Sequence, residues 1–151
     1  MSDFSLESKA FSNNSEIPKN HGYKNGNVSP PLTISGTPNE AQSLAIIMDD
    51  PDAMGAVGKV WVHWVIWNIN PNTSEIPEGS VPSEASEGKT DFGENGYGGP
   101  APPDKRHTYV FKLYALDCKL DLPTSSTKKD VEKSIEGHIL AEATLKGTYA
   151  P

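Results

Sequence analysis

The stretch from Trp61 to Ile69 limits the fold more than any other part of the chain. Read as a strand, it places Trp61, His63, Val65 and Trp67 on one side and Val62, Trp64 and Ile66 on the other. Apolar residues on both sides mark a central strand that needs a covering layer above and below. Two further segments fit beside it. Leu44 to Met48 is an apolar run that stops at Asp49-Asp50-Pro51-Asp52. The proline hinders continued pairing, so Asp50 is expected at a strand end. His107 to Leu116 is the third long strand, with His107, Tyr109, Phe111 and Leu113 facing one way and Thr108, Val110, Lys112 and Tyr114 the other.

The 13 Gly and 13 Pro suit a chain full of turns better than a helical bundle, so a mainly β fold is expected. The connection from Asn70 to Arg106, rich in Pro, Gly, Ser and acidic residues, is too long to be idle in a compact domain. One helix is predicted over residues 127–142. Thr127 and Asp130 form a capping box at its start, and Val131, Ile135 and Ile139 follow at four-residue spacing. Gly137 falls inside that span at a cost of about 1 kcal/mol relative to Ala. Ala143 to Tyr149 reads as a short closing strand. At this length a single domain spanning residues 1–151 is the expectation.

A net charge of −7 repels phosphate backbones and anionic lipid surfaces. The basic pairs Lys105-Arg106 and Lys128-Lys129 are isolated, so nucleic-acid binding and stable membrane insertion are not expected. Cys118 is the lone cysteine, which rules out an intrachain disulfide. The first thirty residues carry no apolar signal-like core, and the expected location is the cytoplasm.

Candidate chemistry concentrates at the strand ends. Asp50-Pro51-Asp52 sets two acids about a fixed-φ proline, which reads equally as a polar turn or as part of a site. His63, in a chain with three tryptophans, needs a hydrogen-bond partner, either as a satisfied core histidine or as a pocket wall. His107 and Tyr109 share a face, so two imidazoles, a phenol and a carboxylate could converge on one cavity. The glycine- and proline-rich run Gly96 to Pro103 precedes His107; its glycines let backbone N–H groups approach a ligand, and as a bland alternative it is a rigid turn. Neither a G-x-x-x-x-G-K-[ST] loop nor a G-x-S-x-G elbow occurs.

Six motifs taken together identify a resemblance: Asn27-Val28-Ser29-Pro30-Pro31-Leu32, Asp50-Pro51-Asp52-Ala53, Trp61-Val62-His63-Trp64, Thr90-Asp91-Phe92-Gly93, Gly96 to Pro103, and His107-Thr108-Tyr109-Val110-Phe111. In this order they resemble the phosphatidylethanolamine-binding protein family, known also through the Raf kinase inhibitor proteins, and most of all its short bacterial and archaeal branch. The resemblance implies a large antiparallel sheet packed on a smaller one, a helix at the side, short peripheral turns and a shallow anion pocket. By motif, Asp50 is the pocket carboxylate, Trp61 a wall, His63 and His107 donors and Tyr109 a hydroxyl contact. Asp52 belongs to the same ligand-binding set, and Gly99, Pro102 and Pro103 form the rim. Met54 stands where the family commonly has a second proline, and Thr108 where it commonly has an arginine. A more open pocket is therefore expected.

The leading functional expectation is non-enzymatic, regulatory binding of a small anion or phosphorylated group, such as phosphate, a phospholipid head group or a phosphorylated residue. No cofactor is expected. The alternative is an inhibitor of a protein kinase or serine protease acting through surface contacts, and a homodimer is compatible with the resemblance. A hydrolase or metalloprotein using His63, His107, Asp50 and Asp52 ranks last, because no closely spaced His-x-x-x-His pair exists.

Overall fold

A computed structural model describes residues 3–151. Among the described residues, nine strands form two sheets: β1 Ser5–Glu7, β2 Ser15–Glu16, β3 Leu32–Ser35, β4 Ser43–Asp50, β5 Trp61–Ile69, β6 Glu75–Ile76, β7 Ser86–Glu87, β8 His107–Leu116 and β9 Ile139–Tyr149. The smaller sheet has the order β1-β3-β6, and the larger β2-β9-β8-β4-β5-β7. Pairing in the larger sheet is antiparallel except at one edge, where β2 runs parallel to β9. A short helix α1, Ala53–Val57, follows β4, and α2, Lys128–Ile135, lies between β8 and β9.

The larger sheet is covered on both faces, as the residues of β5 require. On one face Leu44, Ile46, Met48, Ile66, Phe111 and Leu113 pack with Leu6, Leu32, Ile34 and Ile76 of the smaller sheet. On the other, Ala45, Ile47, Val65, Trp67 and Leu116 lie beneath Val131 and Ile135 of α2. Asp49 and Asp50, consecutive on β4, point to opposite faces. Asp49 binds Lys128 Nζ of α2 at 2.7 Å, whereas Asp50 turns to the face of the smaller sheet.

Strict alternation fails in β5. Met48 pairs with Trp64 but Asp49 pairs with Val62, so His63 is the extra residue of a β-bulge. His63 and Trp64 consequently both lie on the face that carries Trp61. Val65 and Trp67, expected beside His63, lie instead under α2. A bulge of this kind leaves no mark in hydrophobic periodicity, because every residue around it is apolar.

The helix expected over residues 127–142 begins as predicted but ends at Ile135. Asp130 accepts the Thr127 N–H at 2.9 Å, and both halves of the capping box are made. Glu136 then has φ −55° and ψ 128°. Gly137 follows with φ +79°, and His138 N–H donates to Ile135 C=O at 2.9 Å. This is a type II turn with glycine at its third position, and it reverses the chain into β9. Ile139 therefore starts a strand rather than completing the helix, and β9 is longer than the predicted residues 143–149. A Cβ at position 137 would meet nothing within 4 Å, so Gly137→Ala isolates the backbone effect. Equilibrium denaturation is expected to show it less stable than wild type by roughly 1–2 kcal/mol.

A candidate ligand cleft at the ends of the central strands

The ends of β4, β5 and β8 meet at a cleft of about 150 Å³, lined by Asp50, Trp61, His63, His107 and Tyr109 together with Ala53, Ala56, Val57, Phe92, Ala101 and Pro103. Four of these side chains carry its polarity, and each is placed by a distinct local device. Pro51 ends β4 just after Asp50, and the Asp52 N–H returns to Asp50 Oδ1 at 3.0 Å. The bulge aims His63 inward. His107 and Tyr109 arrive two residues apart on one face of β8.

His63 is buried, and its Nδ1 lies 2.6 Å from Gly98 C=O. A carbonyl only accepts, so Nδ1 carries the proton and the neutral ring presents Nε2 as an acceptor. Burial holds the imidazole pKa below its ordinary value, against smaller opposing effects of the Gly98 carbonyl and the Asp50 carboxylate.

His107 is only 1% exposed, yet both its ring nitrogens face carboxylates. Nδ1 lies 2.6 Å from Asp50 Oδ2, and Nε2 lies 2.7 Å from Asp104 Oδ1. Burial opposes charge on the ring, but the bonds to Asp50 and then Asp104 outweigh it and raise the pKa. The ring is best described as an imidazolium between two carboxylates.

Tyr109 is fully buried, and among the described residues its hydroxyl makes no hydrogen bond within ordinary limits, with the Asp50 carboxylate and the Ala101 backbone near it. Burial and the nearby Asp50 carboxylate both push the phenol pKa up, which keeps the group a neutral donor. An unsatisfied buried hydroxyl costs about 1–3 kcal/mol, and here it belongs to a residue lining a cleft.

The remaining predicted residues take other places. Trp61 and Pro103 line the cleft. Asp52 stands behind it, with Oδ2 accepting the Thr108 N–H at 2.8 Å. Gly99 supports the cleft from outside. Its N–H donates to Asn27 Oδ1 at 2.7 Å, and a Cβ there would lie 2.1 Å from the His21 carbonyl. Pro102 lines a neighbouring depression with Lys24, Pro100 and Tyr149. Met54 is 55% exposed on α1 and points away from the cleft, while Ala53, Ala56 and Val57 of the same helix form its wall.

Two site residues were not singled out from sequence. Phe92, inside a quoted motif, packs edge-on to His63 and Trp61 and stacks on Tyr23 at 4.3 Å. It is brought there because Asp91 accepts the Val62 N–H at 2.7 Å and donates its own N–H to Val62 C=O at 3.1 Å. The long connection thus runs beside β5 as an added edge. Asp104 lies on the short link before His107, and no local pattern marks it.

The metal set considered from sequence is otherwise engaged, since His107 uses both nitrogens on carboxylates and Asp52 holds the Thr108 amide. Among the described residues, the group of His, Cys and acidic donors close enough to share an ion is Asp117, Cys118 and His138, beyond the far end of β8. Also among the described residues, no helix is long and apolar enough to cross a membrane.

The model of the family described as phosphatidylethanolamine-binding protein matches residues 7–150. A UPF0098 protein of Methanothermobacter thermautotrophicus is 46% identical over 149 residues, covering 95% of this chain and 97% of the relative. Among solved structures, a phosphatidylethanolamine-binding protein homolog of Chlamydia trachomatis superposes with a TM-score of 0.92 at 39% identity, covering 99% of this chain and 98% of that one. Escherichia coli YbcL, described as a member of the mammalian family, gives a TM-score of 0.90 at 31% identity, with 97% and 98% covered.

The perturbed histidines make stability pH-dependent in opposite senses. The raised pKa of His107 contributes stability that is complete below the unfolded value of 6.5 and is lost as pH rises through the folded value. The lowered pKa of His63 costs stability as pH falls below 6.5. Urea denaturation across pH 5 to 9 is expected to show wild-type stability falling above about pH 6.5, with that decline absent in His107→Gln.

Proposed function

The chain belongs to the phosphatidylethanolamine-binding protein family, and on that premise we propose that it is a non-enzymatic binding protein whose cleft takes a small anionic or phosphorylated group carried on an apolar stem. The observation that carries this reading is the cluster at the cleft of His63, His107, Asp50 and the buried Tyr109 hydroxyl, which among the described residues has the Asp50 carboxylate and the Ala101 backbone near it but no hydrogen bond within ordinary limits. A buried donor with only weak local partners is stabilised when a ligand oxygen reaches it. Trp61, Phe92, Ala53, Ala56 and Val57 supply the apolar surface for the stem.

His107 is unsuited to bond-making chemistry. A general base must be free to take a proton, but the His107 ring is charged and bonded at both nitrogens. His63 is better suited to respond to charge. It is neutral when the cleft is empty, and an anion beside Nε2 favours its protonation, so binding takes up a proton. Affinity is therefore expected to rise as pH falls toward the His63 pKa.

Imidazole 15N–1H spectra during titration with inorganic phosphate and with O-phosphoethanolamine test the reading directly. Saturable shifts of the His63 and His107 signals are expected, and Tyr109→Phe is expected to bind about tenfold more weakly through loss of one hydrogen bond to a charged group. Unchanged signals at saturating ligand would remove the cleft reading. A stoichiometric protein recovered with the chain from its native cell would then favour surface-acting inhibition of a kinase or protease.

A further inference from the structure

The anion-binding reading leaves one chemical problem, which concerns donors. An imidazolium has two N–H groups, and both of those on His107 are engaged, Nδ1 with Asp50 and Nε2 with Asp104. Asp50 is buried at the end of β4 and is further braced by the Asp52 amide. It has no route out. Asp104 differs in its exposure and its place in the fold, although the Lys105 backbone amide also interacts with its carboxylate. Its side chain is 42% exposed, it sits outside any strand or helix between Pro103 and His107, and of the two basic residues that follow, Lys105 is exposed and Arg106 is turned away to Glu16 and Thr148.

We infer that Asp104, which stands next to the cleft-lining Pro103 but is not itself among the lining residues, is a competitor at the edge of the cleft: its carboxylate occupies a donor of His107 that an incoming anion can use, and ligand entry is an exchange of one carboxylate for another oxyanion. This inference rests on the anion-binding reading. The exchange forms one hydrogen bond, from His107 Nε2–H to a ligand oxygen, and breaks one, to Asp104 Oδ1, with no change in covalent bonding. Released Asp104 can turn to water because its side chain is already partly exposed.

The arrangement also sets which anions are accepted. With Asp104 displaced, Asp50 and the imidazolium cancel, and His63 is neutral unless the ligand protonates it. A monoanion is thus held by one net donor set. A dianion faces the Asp50 carboxylate and the nearby Asp104 carboxylate with no further fixed cation among the lining residues. The apolar walls add to the cost of the second charge. Asp104 is on these grounds a specificity-determining residue, selecting singly charged oxyanions such as phosphodiesters or carboxylates over phosphate dianions.

The test compares wild type, Asp104→Asn and Asp104→Ala by calorimetry and imidazole 15N spectra, with diethyl phosphate as the monoanion and inorganic phosphate at pH 8 as the dianion. Asp104→Asn keeps the side-chain size and carries the test should the alanine variant fold poorly. Wild type is expected to prefer diethyl phosphate. Both variants are expected to bind either probe about tenfold more tightly, with the larger gain for inorganic phosphate, so the preference shrinks. Saturable binding that is equal in all three proteins, or weaker in the variants, would overturn the competitor role while leaving the cleft reading in place. Absence of saturable binding in all three would overturn both. A purely structural role for Asp104 predicts lower stability with an unchanged ratio between the two probes.

Discussion

A sheet covered on both faces leaves few places where polar groups can stand. The middle strands β4, β5 and β8 bury apolar residues against the smaller sheet on one side and against α2 on the other. An unpaired polar side chain along their length would be costly, whereas a strand end can reach loops and turns for partners. Asp50, His63, His107 and Tyr109 all lie near one end of these strands, where Pro51, the β5 bulge and the turn before His107 interrupt regular pairing. The cleft exists because the layers that make the core stop there. Its supports come from far along the chain: the N-terminal segment braces the glycine loop through Asn27 and through His21, whose carbonyl accepts the Tyr97 hydroxyl at 2.8 Å.

Within the cleft, neighbouring groups of the same type are given opposite electrostatic characters. His63 is enclosed by aromatic rings and one carbonyl, so desolvation dominates and the ring stays neutral. His107 is as buried, but carboxylates meet both its nitrogens and the charged form prevails. The two carboxylates are themselves unequal, one fixed at a strand end and one on an exposed link. A fixed acid orients the ring, whereas a movable one can give way. The Tyr109 hydroxyl completes the set as a neutral donor kept protonated by burial.

Much of this could be read in the residues before any coordinates. The bounds of β5 and β8, the strand end at Asp50, the shared face of His107 and Tyr109, and the capping box at Thr127 follow from period-two patterning, proline chemistry and side-chain reach, all local effects. The bulge at His63 was hidden, because an inserted residue among tryptophans and valines changes the register without changing the hydrophobic character. The early end of α2 was hidden for a related reason. Val131, Ile135 and Ile139 keep a helical spacing across Gly137, although Ile139 serves the strand that follows. Asp104 had no local mark at all, since its meaning lies in the ring nitrogen it meets.

By itself the sequence determined that strands would dominate, that one central strand would be covered on both faces, and which acids, imidazoles and phenol would stand at strand ends. These follow from interactions a few residues in range. Only the tertiary structure decided which protonation state each histidine holds, that Asp52 and Gly99 support the cleft rather than line it, and that Phe92 and Asp104 belong beside it. Desolvation and charge pairing depend on what the rest of the chain brings within a few ångströms, and no spacing along the sequence encodes that distance.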